Sequence, residues 1–278
     1  MRPFFVDSYE GIQQPPANAS YIIRSHLSRG KTQVCSPKIS TKMLLSGAEV
    51  YTSTESRFSI RQGQFLITAP AEELELTIAS SAVGCCFYMD VDYVHRLTAE
   101  MISADLEGGD GEVPAVTTTR LPLNGSQLGL SMLAVANHRL DPDADVLATS
   151  LAETTVYLSH LRANLPCRRQ STQRELVARL EVARTFLIEA QDRAVSLREL
   201  ESACCLSRFH LNRSFARVYG TPPLRFHQNL RLDAARERLG AGEPQRTIAE
   251  DLGFSALSSF SRAYRRRHHH APSADQPK

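Results

Sequence analysis

One helical pattern occurs twice in roughly the last hundred residues, and it constrains this chain more than any other feature. Leu197, Leu200, Leu206, Ser207, Leu211, Arg213 and Phe215 are answered by Ile248, Ala249, Phe254, Ser255, Phe260, Arg262 and Tyr264. Each set spaces its apolar residues as a short helix, a tight turn and a second helix. The outer face of that second helix carries Arg, Ser and Asn. A helix-turn-helix that lays one helix in a DNA major groove has this layout. Two units in tandem, about 196–218 and 247–267, imply a reader of two adjacent grooves of double-stranded DNA.

In the first unit Ser196 and Glu199 form a capping box, and Leu197, Leu200 and Ala203 line one side of a short helix. Ser207 is expected to cap the next helix, which turns Leu211, Phe215 and Val218 inward. Ser207, Arg208, Phe209, Asn212 and Arg213 then face DNA, with Asn212 suited to an adenine edge and Arg213 to guanine or phosphate. Gly220-Thr221-Pro222-Pro223 ends that helix and starts a long one, about 223–239. Thr247 is expected to cap a short helix holding Ile248, Ala249 and Leu252, and Gly253 supplies the turn. Ser255 is expected to cap the second reading helix, which buries Phe260 and Tyr264 and offers Ser255, Leu257, Ser258, Ser261, Arg262 and Arg265 to DNA. A plain helical bundle with Arg on its wet face explains one such unit. Two units, each with Arg two positions after the first core residue, argue against it.

Charge is divided unevenly along the chain. Residues 1–165 hold 12 Lys and Arg against 18 Asp and Glu, for −6, while residues 166–278 hold 20 against 12, for +8. Nineteen of those 20 cations are Arg, whose planar fork matches phosphate and guanine edges better than an ammonium does. An acidic first half beside a basic second half fits a regulatory module joined to a nucleic-acid module.

At 278 residues the chain has room for two domains, and the pattern divides it into an α+β architecture. Residues 1–165 read as a regulatory or dimerisation domain. Short runs at about 32–90 (Lys42–Leu45, Glu49–Tyr51, Arg57–Arg61, Gln64–Thr68, Leu74–Ala79, Val83–Met89) suggest a small antiparallel barrel or sandwich. Phe58, Ile60, Phe65, Ile67 and Phe87 are inward candidates, read as core rather than ligand contacts. Helices follow over about 91–163. Asp90 or Asp92 caps the first, residues 106–121 with Gly108-Gly109-Asp110-Gly111 form a loop, and Asp141-Pro142-Asp143 turns a hairpin of 126–139 and 145–163. That hairpin either covers the sheet or forms a dimer seam. Residues 166–173 are a polar linker, and 174–278 are the DNA-binding domain, with a disordered tail after Pro272.

The segment from about 180 to 273 resembles the DNA-binding domain of AraC/XylS-type transcription regulators. The resemblance is carried by Leu206-Ser207-Arg208-Phe209-His210-Leu211-Asn212-Arg213-Ser214-Phe215, by Gly220-Thr221-Pro222-Pro223 and by Arg231-Leu232-Asp233-Ala234-Ala235. Ile248-Ala249-Glu250-Asp251-Leu252-Gly253-Phe254, Phe260-Ser261-Arg262 and Pro272 complete it. The resemblance implies a regulator, more often an activator than a repressor, that contacts RNA polymerase and acts as a homodimer. It also implies a cupin-like N-terminal barrel that receives a small-molecule effector. Three positions depart from the family: Glu201 stands where Ala is usual, and Cys205 and His269 where Gly is usual. Cys205 must then take a strained positive φ or a modified turn. The run Arg265–His270 reads as a basic edge facing phosphate rather than a metal site.

No Cys-x-x-Cys, His-x-His, acid/base pair or nucleotide loop appears among the residues. The reading is therefore no enzyme, no catalytic residue, no metal and no cofactor. The start lacks a signal peptide and no run approaches a membrane span, which predicts a cytoplasmic protein with reduced thiols. The alternative is a thiol-responsive redox or alkylation sensor using Cys85-Cys86 or Cys204-Cys205 with the same DNA-binding domain.

Overall fold

The computed structural model describes residues 2–6, 20–54, 56–105, 112–137, 143–166 and 169–277, residues 2–6 by their backbone only. The chain forms two compact units, Met1–Ala178 and Arg179–Lys278. No helix among the described residues is long and apolar enough to cross a membrane.

The first unit is built on a seven-stranded sheet: β1 (Arg2–Val6), β2 (Tyr21–Val34), β3 (Ile39–Thr52), β4 (Arg57–Arg61), β5 (Gln64–Thr68), β6 (Leu74–Met89) and β7 (Thr119–Pro122). Its order is β1-β2-β6-β3-β5-β7, with β4 beside the second half of β3. All pairs are antiparallel except β1 with β2. The path has two ends, so the expected barrel does not close. The expected start at residue 32 was also late: β2 begins at Tyr21, and its burial alternates from Ile23 to Ser28 as a half-buried strand should.

The ladders that join β6 to β2 and to β3 carry bulges. A straight strand of sixteen residues such as β6 would run roughly 50 Å, too far for a small core. The ladder instead bends where its register shifts, between Ser28 and Gly30 of β2, and between Leu44 and Ser46 and between Gly47 and Glu49 of β3. Ser46-Gly47 therefore continues β3 rather than ending a strand. Gly47 sits at φ 83°, and a Cβ there would lie 2.1 Å from the carbonyl oxygen of Ser81. The bend brings Leu27, Leu44, Tyr51, Phe58, Ile60 and Leu66 into one cluster with Leu74, Leu76 and Ile78. Phe58, Ile60, Phe65, Ile67 and Phe87 are all buried core.

Three capped helices accompany the sheet. Asp90 accepts from the Tyr93 N–H at 3.0 Å and starts α1 (Val91–Asp105). Ser126 accepts from Gly129 at the head of α2 (Gln127–Ala136), and Asp143 from Asp145 at the head of α3 (Ala144–Ala163). α3 packs on α1 and α2 through Leu147, Leu151, Leu158 and Leu161. Part of the expected loop 106–121 is strand β7; residues 106–111, like 138–142 of the expected hairpin turn, lie outside the described residues. Helix α4 (Gln170–Glu189) begins four residues before the expected position, inside the segment read as a linker.

The second unit contains the rest of α4, then α5 (Leu197–Cys204), α6 (Arg208–Tyr219), α7 (Pro223–Gly240), α8 (Gln245–Asp251) and α9 (Leu257–His268). One core is centred on Phe215, with Tyr219 and Phe226 ringed around it at 4.4 and 5.5 Å; Leu180, Ala183, Leu187, Leu200, Cys204 and Leu211 are buried as well. The other joins Leu232, Ala235, Leu239, Ile248, Ala249, Leu252, Phe260 and Tyr264. α7 contributes to both. Within it His227 is buried and donates Nε2–H to the Ala190 carbonyl at 2.9 Å. The expected disordered tail is anchored instead. Pro272 is buried in a short 3-10 turn, the Tyr264 hydroxyl donates to Asp275 at 2.5 Å, and Gln276 bonds Gln245 and the Glu243 carbonyl.

Two predictions follow from these packings. Gly47→Ala should destabilise the chain by about 3 kcal/mol, from left-handed strain plus collision with the Ser81 carbonyl. A urea unfolding curve showing a loss below 0.5 kcal/mol, roughly the size of an ordinary surface change, would refute the bulge. Burial holds the pKa of His227 below the ordinary histidine value. As pH falls below about 6.5 the unfolded chain gains a proton that the native ring refuses, so native stability drops. Thermal midpoints between pH 7.5 and 5.5 should fall less steeply for His227→Gln than for the unaltered chain; equal slopes would contradict this account.

Candidate nucleic-acid interface

The two repeated units fold as α5-turn-α6 and α8-turn-α9. Ser196 and Glu199 make the expected capping box at the head of α5. The Glu199 carboxyl sits low, at about 2, because it accepts from the Ser196 backbone and hydroxyl and from Arg193. The turn into α6 passes through Cys205 at φ 54°, ψ 39°, the left-handed conformation that a glycine adopts without strain. The Arg179 guanidinium donates to its carbonyl at 2.8 Å. In the second unit Gly253, at φ 69°, makes the corresponding turn.

Three expected caps are absent. Ser207 occupies the N-cap of α6 but its hydroxyl makes no cap bond. Ser255 lies one residue before the N-cap of α9, which is Ala256. Thr247 is inside α8, because Pro244, with its fixed φ, starts that helix three residues earlier. The two presumptive reading helices thus keep their first-turn N–H groups free of side-chain caps, unlike α2, α3 and α5. Such groups favour anions.

The outward face of α6 carries Ser207, Arg208, Phe209 and Arg213, all exposed; Phe209 is 75% exposed. Asn212 is half-buried and donates its amide to the Arg208 carbonyl at 2.9 Å, so pairing with an adenine requires that bond to break. On α9, Leu257, Ser258, Arg262 and Arg265 are exposed and Ser261 is half-buried; Ser255 is exposed just ahead of the helix. Opposite these faces Leu211, Phe215, Phe260 and Tyr264 are fully buried, while Val218 is only half-buried.

Some guanidiniums of this unit are closed onto carboxylates, and others are not. Arg238 is tied to Glu243 and Asp251, Arg246 to Glu250, and Arg267 to both oxygens of Asp233 at 2.9 and 2.7 Å. Among the described residues Arg213, Arg262 and Arg265 make no ion pair or hydrogen bond within the chain. Arg208 is intermediate, with Glu201 at 3.7 Å. Glu201, one of the departures noted in the sequence, thus holds a negative charge beside the first reading helix.

The Arg265–His270 run does not act as one basic edge. Arg267 is bound to Asp233, the His268 ring lies tilted at 45° with its centroid 4.4 Å from that of Tyr264 and Nε2 on the Leu232 carbonyl, and His270 lies 3.4 Å from Asp275. Arg265, Arg266 and His269 remain exposed, and His269 closes α9 at φ 65°. No group of His, Cys, Asp and Glu among the described residues is placed to hold a metal ion. Cys85, Cys86 and Cys204 are buried, and burial raises each thiol above its ordinary pKa; Cys35 and Cys205 are exposed. The sequence marked Glu201 only as a departure from the family and placed Asp275 and Gln276 in a disordered tail; it assigned none of the three a partner. Their contacts reach across turns that periodicity does not encode.

Residues 200–276 match the family model of a helix-turn-helix domain. No curated relative matches the chain. Three solved structures are similar to it. ToxT from Vibrio cholerae is 12% identical over 92% of this chain and 97% of its own, at a TM-score of 0.40. A probable AraC family transcriptional regulator from Rhodopseudomonas palustris is 24% identical over 36% and 98%, at 0.33. A regulator with an AraC-type DNA-binding domain from Chromobacterium violaceum is 26% identical over 35% and 88%, at 0.34. At these TM-scores none of the three bears on function. The family match falls on the two units whose geometry is described above, and residues 200–276 of this chain form a helix-turn-helix domain.

Proposed function

We propose that this chain is a sequence-specific transcription regulator that reads two adjacent major-groove segments, one with α6 and one with α9. The observation that carries it is the free, exposed arginine at the same place in each reading helix, Arg213 and Arg262. Ser207, Arg208, Phe209, Asn212 and Arg213 contact the first segment; Ser255, Leu257, Ser258, Ser261, Arg262 and Arg265 contact the second. The rod between them, α7, has 18 residues and is about 27 Å long, against about 34 Å for one duplex turn.

In this reading residues 1–165 form the regulatory domain, 166–173 its connection and 174–278 the DNA-binding domain. The regulatory domain receives a small-molecule signal and pairs two copies of the chain. Leu130, Val146 and Tyr157, large apolar residues left exposed on α2 and α3, support the pairing. The protein works in the cytoplasm and activates by touching RNA polymerase beside its site. It is no enzyme.

Two outcomes test the DNA-reading assignment on an operator isolated by selection from random duplexes. Arg213→Ala and Arg262→Ala should each weaken specific binding by about 1–3 kcal/mol; a change below 0.3 kcal/mol in both, roughly the scatter between independent sites, would reject it. Glu201→Ala releases Arg208, so affinity should rise and the log–log salt dependence should steepen by up to about 1 unit. Fluorescence anisotropy across a salt series reads both quantities. A shallower slope in Glu201→Ala would show that Arg208 does not face phosphate.

A further inference from the structure

A cavity of about 170 Å³ lies within the N-terminal unit. The ladder puts Ile23, Cys86 and Lys42 in one row across β2, β6 and β3. Leu74 and Leu76 form part of its apolar wall, and Lys42, Ser25 and Tyr51 give it a polar end. That end is unusual for a sheet interior. Lys42 and Glu49 have side chains only 5% and 0% exposed, and their charged atoms are 3.4 Å apart. The Lys42 ammonium donates to Ser25 Oγ at 2.7 Å, and the Tyr51 hydroxyl donates to Glu49 Oε2 at 2.7 Å. Glu49 Oε1 has no hydrogen-bond partner, and Lys42 has three N–H groups with one hydrogen bond made.

A buried ion pair is costly to keep unless its remaining donors and acceptors are met. Here an unmet N–H belongs to a residue that lines a cavity of ligand size. The volume resembles that of an apolar cavity that takes up benzene. Charge then narrows the ligand. Glu49, which is not among the lining residues, already neutralises Lys42, and Glu72 adds a carboxylate on the lining itself. An anion would enter against a surplus of negative charge, and a plain hydrocarbon would leave the Lys42 N–H unmet. Burial keeps the Tyr51 phenol and the Cys86 thiol neutral, so neither changes this balance near neutral pH.

We infer that this cavity binds a small neutral ring compound bearing a hydroxyl, of the phenol or cyclohexanol class. Its oxygen accepts from the Lys42 ammonium and its ring lies against Leu74 and Leu76. The inference rests on the proposed reading that the N-terminal unit receives a signal, and it adds the ligand's chemical class and the residues that select it.

Isothermal titration calorimetry on the full chain with phenol, benzoate and benzene tests it. Phenol should saturate one site per chain and bind at least tenfold tighter than either of the others. Lys42→Met combined with Glu49→Gln removes both charges together, so neither is stranded, and it should abolish the preference for phenol over benzene. Val34→Phe, which fills part of the lining, should abolish binding of all three. Benzoate binding as tightly as phenol, an unchanged phenol preference in the double variant, or no phenol binding to the unaltered chain would overturn the inference. DNA affinity measured on the same samples separates the two claims: a phenol site that stands while DNA affinity ignores phenol sinks the sensing role and leaves the cavity assignment intact.

Discussion

One helix holds the helix-turn-helix unit together. The first half of α7 gives Phe226 and His227 to the core around Phe215, and its second half gives Leu232, Ala235 and Leu239 to the core around Phe260. Neither small core spans both reading helices, so their relation to each other passes through this rod. Pro223 at its start and the turn after Gly240 set its length. The half-buried Arg231, which donates to the Leu252 carbonyl at 2.6 Å, and the His227 bond to Ala190 tie the rod to both sides. A helix fixed at both ends is stiff, and stiffness matters when two surfaces must meet one duplex in register.

The unit sorts its arginines by partner. Arg238, Arg246 and Arg267 are closed onto carboxylates at or near the surface, where each pair contributes little to stability. Arg213, Arg262 and Arg265 keep their donors open. The N-terminal unit treats charge in the opposite way, burying Lys42 against Glu49 in its interior. A pair placed there selects for polarity inside a cavity, whereas a free arginine on a helix selects for an extended anion outside.

Much of this was legible in the sequence where the determining contacts are local. The Ser196–Glu199 capping box, Asp90, and the 3.6-residue spacing of Leu211 with Phe215 and of Phe260 with Tyr264 all report interactions within a turn or two of helix. The left-handed turn at Cys205 was legible for the same reason. The sheet was harder to read because a glycine at positive φ serves a turn and a bulge equally well, and only the partner strand decides; Gly47 therefore looked like a strand end. The period-two pattern from Ile23 to Ser28, with Arg24 and His26 on its outer face, was present but covers only six residues. Long-range contacts left no local trace. Asp275 and Gln276 read as a disordered tail, and Lys42 as the first residue of the strand run Lys42–Leu45. The caps assigned to Thr247 and Ser255 failed because a proline and the chain geometry moved each helix start by one or more residues.

Hydroxyl-radical footprinting of a selected operator tests most directly the claim that α6 and α9 occupy neighbouring grooves. The account predicts two protected patches on one face of the duplex, centred about 10–10.5 base pairs apart for each copy of the chain. Arg213→Ala should fade one patch and Arg262→Ala the other. A single patch, or two patches that fade together in either variant, would contradict it.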